Sequence, residues 1–129
     1  MGAGIARRLV GDRVTVDSCG LETQGGLPAT KRAIAVMEEI GIDISNHRAR
    51  SIDEVNPAQY EVVIAMEPSI GESLRKRGVH PDRLRSLDVA DPYGGTMELY
   101  RARRDEIISQ LRHLFGLEPP QVGVNLNEP

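Results

Sequence analysis

Cysteine is almost absent from this chain: Cys19 is the only one in 129 residues. A single thiol excludes an internal disulfide and suits a reducing compartment, so cytoplasmic residence is the expectation. Long apolar runs are missing too. None approaches the ~20 residues needed to span a bilayer, so no membrane partner is expected. The opening "MGAGIARRLV" lacks the charged start and long apolar centre of a secretion signal. It begins with Met-Gly, but Ala6 stands where a myristoylation signal needs Ser or Thr. His47, His80 and His113 show no ligand spacing, which leaves a metal site without support. No cofactor is expected. The net charge of −3 removes a general electrostatic case for nucleic acid. There is no internal repeat and no low-complexity segment.

What is present is ordinary for a globular protein: 40% apolar and 27% charged residues. The length and the mass of 14.2 kDa suit one domain with a real core. That domain is expected over 1–116. Residues 117–129 form a loosely attached tail, because the prolines in "GLEPPQVGVNLNEP" stop a helix and nothing periodic follows.

Periodicity marks the elements. "GAGIARRLV" reads as a short helix with Ile5 and Leu9 on one face. "RVTVDS" alternates like a strand, with Val14 and Val16 on one side. Pro28 opens a helix through Gly41, with Ala33, Met37 and Ile40 inward and Gly41 as its stop. Ser51 and Glu54 have the spacing of a capping box for a short helix. "YEVVIAM" is the most apolar strand, and its continuous run suits a sheet buried on both faces. A helix follows around "PSIGESLRKRG", then a short strand "RLRSL". The last helix runs from about Met97 to Phe115, with Met97, Tyr100, Ile107, Leu111, Leu114 and Phe115 as its apolar stripe. Strands alternating with helices predict an α/β fold of three layers, α/β/α, around a mostly parallel sheet. The order begins with a helix, whereas such folds generally begin with a buried strand. The architecture looks incomplete at its front.

"VADPYGG" raises a chemical question. Pro92 restrains Asp91 toward extended conformations, and two glycines let the chain bend away behind Tyr93. The carboxylate is held on a loop beside an aromatic ring. Taken with "VDSCG", "GIDISNHRAR" and "YEVVIAMEPS", in that order, this loop resembles the low-molecular-weight protein tyrosine phosphatases and the arsenate reductases that share their fold. The resemblance runs to about Phe115. The family's most specific motif, a cysteine, five residues and an arginine, is missing. "MGAGIARRLV" lines up with the helix that follows that phosphate loop, so the resemblance implies a chain lacking the first strand and the loop. Cys19 does not replace the nucleophile, because the residue six positions later is Gly25. It reads as a small buried residue at a strand end.

The chemistry implied by the resemblance is hydrolysis of a phosphomonoester, typically in a phosphotyrosine protein, through a phosphocysteine. It needs a nucleophile, a cradle for the phosphoryl oxygens and an acid for the leaving group. By resemblance Asp91 is that acid and Tyr93 lines the pocket wall. Ser18 and His47 are supporting groups hydrogen-bonded to the phosphate loop. Two departures stand out: Glu67 replaces a capping aspartate, and the "LETQGG" loop lacks the aromatic residue of the opposite wall. On the residues alone, Asp-Pro-Tyr-Gly is an ordinary turn, Ser18 a turn residue and His47 a loop histidine. "RARRDE" is a solvated helix face, and "HRAR" a salt-bridged connector or an anion collector.

Three readings follow. The first is a phosphatase sequence cut short and inactive as it stands. The second is a natural pseudophosphatase that serves as a binding or regulatory module. The third is an arsenate reductase relative, for which one cysteine is too few. In the family fold the missing strand lies between "RVTVDS" and "YEVVIAM". Its loss exposes two edges, which makes marginal stability or self-association the expectation.

Overall fold

The structure, a computed structural model, describes residues 1–21 and 25–117. The expected tail lies outside the described residues except for Leu117. Among the described residues, four α-helices and two strands form an α/β domain. In chain order they are α1 (Gly2–Val10), α2 (Lys31–Glu38), β1 (Val63–Ala65), α3 (Pro68–Lys76), β2 (Leu84–Ser86) and α4 (Met97–Leu114). β1 and β2 run parallel, with Val63 opposite Leu84 and Ala65 opposite Ser86. The pairing extends past β2, where the Leu87 and Val89 amides donate to the Ala65 and Met66 carbonyls. No helix among the described residues is long and apolar enough to cross a membrane.

α1 and α4 fall where periodicity puts them. α2 is shorter than expected: it starts at Lys31, not Pro28, because Thr30 caps it and Thr30 Oγ1 accepts from the Ala33 amide at 3.2 Å. Its far end closes as foreseen. Gly41 has a φ of 77°, its amide reaches the Glu38 carbonyl, and the Ile42 amide reaches that of Met37. Ser51 and Glu54 do not start a helix. The Ser51 hydroxyl accepts from the Asp53 amide, two residues on, and so closes a local turn in place of a capping box. Glu67 precedes α3 without making a side-chain cap, as its departure from aspartate implied.

The segment expected as the first strand is extended at Val14 but belongs to no ladder. Only Gly20 beyond it bridges to Ser51, in parallel. β1 is bonded to β2 alone among the described residues. Alternating valines supply a strand's shape, but a strand is made by hydrogen bonds to a neighbour. The same lack shortens "YEVVIAM" to three residues and leaves Val62 53% exposed, so this run is not buried on both faces.

The main core joins α1, α2 and α4. Ile5, Val36, Met37 and Leu111 are its most deeply buried side chains, each worth roughly 1.5–3 kcal/mol against exposure. A smaller cluster of Ile52, Ala65, Leu74 and Val79 lies beneath α3. Arg104 overturns the reading of "RARRDE" as a solvated face. It is buried, donates to the Val36 carbonyl and to Glu39 Oε1 at 2.8 Å each, and pairs with Asp105 at 2.9 Å. A hydropathy pattern marks arginine as polar and does not register that α2 offers it a carbonyl and a carboxylate.

Candidate functional site

The loop from Asp91 to Gly95 is two turns in succession. Asp91 Oδ1 accepts from the Tyr93 amide at 3.0 Å, which fixes the carboxylate over its own turn. The Gly95 amide then donates to the Pro92 carbonyl at 2.8 Å. Gly94, at a φ of 81°, occupies the third position, where a type II turn needs positive φ. Thr96 follows as the cap of α4, accepting from the Leu99 amide. Pro92 is buried and anchors the loop, whereas Asp91 is exposed and Tyr93 is 78% exposed. On the entering side, Gln110 of α4 clamps Asp88 through both backbone groups. The Asp88 amide donates to Gln110 Oε1 at 2.8 Å, and Gln110 Nε2 donates to the Asp88 carbonyl at 3.2 Å. Nothing in the local sequence marks Gln110, which lies 22 positions away.

The start of α1 is where the other groups converge. The α-amine of Met1 is largely desolvated, which lowers its pKa, while the Asp91 carboxylate opposes that shift. His47 also feels this end of the helix. Burial lowers its pKa first, and the Met1 ammonium, Arg7, Arg48 and Arg50 lower it further. Asp91 and His47, 44 positions apart in sequence, thus both lie within electrostatic reach of the start of one helix, an end that favours an anion. His47 is therefore expected neutral at pH 7, and its imidazole NMR shifts should titrate with a midpoint below 6.5. Because the folded pKa lies below the unfolded one, protonation favours unfolding. His47 contributes its stability above about pH 6.5 and loses it as pH falls. A midpoint at or above 6.5 would contradict the cationic surroundings.

Ser18 is half-buried and among the described residues makes no side-chain hydrogen bond; His47 is half-buried likewise. Beside Ser18, Asp17 accepts from the Tyr60 hydroxyl at 2.5 Å and pairs with Arg50 at 3.4 Å. Arg50 is therefore the salt-bridged connector, whereas Arg48 spends itself on the Ser45 and His47 carbonyls. Cys19 is exposed, not buried as its place in "VDSCG" suggested, because the adjoining segment has no sheet neighbour to cover it. Partial desolvation of its sulfur still outweighs Arg50 and Arg77 and raises the thiol pKa, which disfavours the nucleophilic thiolate. No group of three or more His, Cys, Asp or Glu side chains among the described residues is arranged to hold a metal.

Tyr93 also walls an open hollow of about 490 Å³, whose other lining residues are Thr30, Lys31, Arg32, Gly94 and Tyr100. Sequence reasoning did not place α2 beside the Asp91 loop.

The family profile described as low molecular weight phosphotyrosine protein phosphatase matches residues 1–126. The glutaredoxin arsenate reductase of Synechocystis sp. is 33% identical over 116 residues, covering 90% of this chain and 86% of the relative. The crystal structure of a low molecular weight protein tyrosine phosphatase from T. tengcongensis superposes with a TM-score of 0.78 at 30% identity, covering 89% of this chain and 87% of that one. An arsenate reductase in its phosphate-binding state superposes with a TM-score of 0.74 at 31% identity, covering 89% and 85%. The chain belongs to the low molecular weight phosphotyrosine protein phosphatase family.

Proposed function

We propose that this chain carries the leaving-group side of a phosphotyrosine phosphatase site, acting in the cytoplasm. The observation that carries the reading is the Asp91 carboxylate, fixed in its turn and electrostatically coupled to the start of α1. In the reaction a cysteine thiolate attacks phosphorus and the P–O bond to the tyrosine breaks. Asp91 gives its proton to the departing phenolate oxygen. The Asp91 carboxylate then takes a proton from the water that attacks the phosphocysteine, releasing inorganic phosphate and restoring the thiolate. Tyr93 lines the substrate pocket, while Ser18 and His47 support the phosphate loop. The thiolate and the phosphate-binding arginine have no counterpart within residues 1–129, since Cys19 is followed six positions later by Gly25. The 129 residues therefore require a Cys-x5-Arg segment in addition before they turn over substrate.

The test is Asp91→Asn in a chain completed by such a segment. Loss of a positioned acid should lower kcat by roughly 10²–10⁴-fold for a substrate with a poor leaving group. An unchanged kcat sinks the assignment. A second reading, arsenate reduction, is favoured by the 33% identity to the Synechocystis enzyme. The lone, exposed Cys19 with its raised pKa weighs against it, because that chemistry consumes several thiols.

A further inference from the structure

The hollow beside Tyr93 is built for negative charge. Lys31 and Arg32 line it from the first turn of α2, a position where the helix dipole disfavours cations and where α2 has no acidic residue. Neither makes an ion pair among the described residues. Arg101 and Arg104 of the neighbouring α4, by contrast, are both neutralised by Glu39. Tyr100 is the buried member of the lining. It is only 4% exposed yet lines the hollow, and its hydroxyl oxygen accepts from Thr30 Oγ1 at 3.3 Å. Thr30 Oγ1 also accepts from the Ala33 amide, so the Tyr100 hydroxyl is held beside the cap of α2. Two cations line the space, with no carboxylate among its lining residues. Tyr93 adds an exposed ring one turn from Asp91.

We propose that this hollow is a subsite for an acidic peptide. Lys31 and Arg32 hold Asp or Glu carboxylates that flank the target tyrosine, and Tyr93 packs against the peptide between them. The proposal rests on the phosphatase reading for its substrate but not for its binding, because Lys31 and Arg32 belong to neither the Asp91 loop nor the phosphate loop. A peptide suits the site better than a nucleic acid: the hollow offers only two cations beside an aromatic wall, on a chain of net charge −3.

The 129-residue chain, titrated at low salt with an unphosphorylated tyrosine peptide flanked by glutamates, should bind it at least tenfold more tightly than the same peptide with glutamines. Amide NMR shifts should centre on Lys31, Arg32 and Gly94, and added salt should weaken binding. Lys31→Glu with Arg32→Glu should remove the preference, and the milder Lys31→Gln with Arg32→Gln should reduce it if the reversed pair folds poorly. Asp91→Asn should leave it intact, which separates this proposal from the catalytic one. Equal binding of the two peptides overturns it. So does an unchanged preference in both double variants, or tighter binding of an oligonucleotide of matched charge.

Discussion

No hydrolysis of p-nitrophenyl phosphate above the buffer rate is expected from the 129-residue chain. A chain extended by a strand and a Cys-x5-Arg loop ahead of α1 is expected to reach an ordinary enzymatic kcat, of the order of 1–10³ s⁻¹. The reason is chemical. In the proposed reaction the acid protonates an oxygen only as the P–O bond breaks, and that bond breaks only when a nucleophile has arrived. Removing the nucleophile from a group of residues that act as a unit costs roughly 10⁶-fold, and the remaining members recover little of it. Cys19 does not compensate: its thiol pKa is raised, and Gly25 stands where the arginine is needed. The same extension should give β1 a second neighbour and cover Val62. Thermal stability should then rise, and association through the free edge of β1 should fall, as read by sedimentation at several concentrations. Turnover by the 129-residue chain that disappears on Asp91→Asn would refute this account.

Arg104→Met should be a costly substitution on α4. Its guanidinium is the donor to the carbonyl of Val36, a residue with no exposed surface. An unmade buried bond costs roughly 1–3 kcal/mol, a large part of a total of about 5–15 kcal/mol. The melting temperature should fall by roughly 5–15 °C. Arg101→Met is the control. Arg101 holds the same Glu39 through two donors but is exposed, so its loss should lower the melting temperature far less. Equal losses in the two variants would show that burial of Arg104 contributes nothing. Acid titration adds a second readout. Hydrogen bonds from Arg101 and then Arg104 hold the Glu39 carboxyl down at about 2, below its ordinary 4.5. A depressed carboxyl stabilises the fold above pH 4.5 and loses that contribution as pH falls toward 2. Arg104→Met should flatten the acid dependence across that window.

Local rules were legible where a short stretch fixes its own geometry. The Asp-Pro-Tyr-Gly-Gly turn, the glycine stop at Gly41 and the amphipathic α4 follow from φ preferences and from a period of 3.6 residues. Elements that depend on a partner were not. "RVTVDS" has a strand's alternation and no ladder, while Ser51 and Glu54 have a cap's spacing and form a turn. Cys19 carries a buried residue's chemistry on an exposed segment.

By itself, then, the sequence determined the family, the α/β class and the turn that presents Asp91, because turn chemistry and hydrophobic period are written within a few neighbouring residues. Tertiary structure alone decided what those residues face. Packing α2 against α4 buried Arg104 and set Lys31 and Arg32 beside Tyr93. Chain reversals brought Asp91 and His47 within electrostatic reach of one helix end and set Gln110 against Asp88. Contacts between residues tens of positions apart depend on how helices and strands pack, and no local periodicity encodes that arrangement.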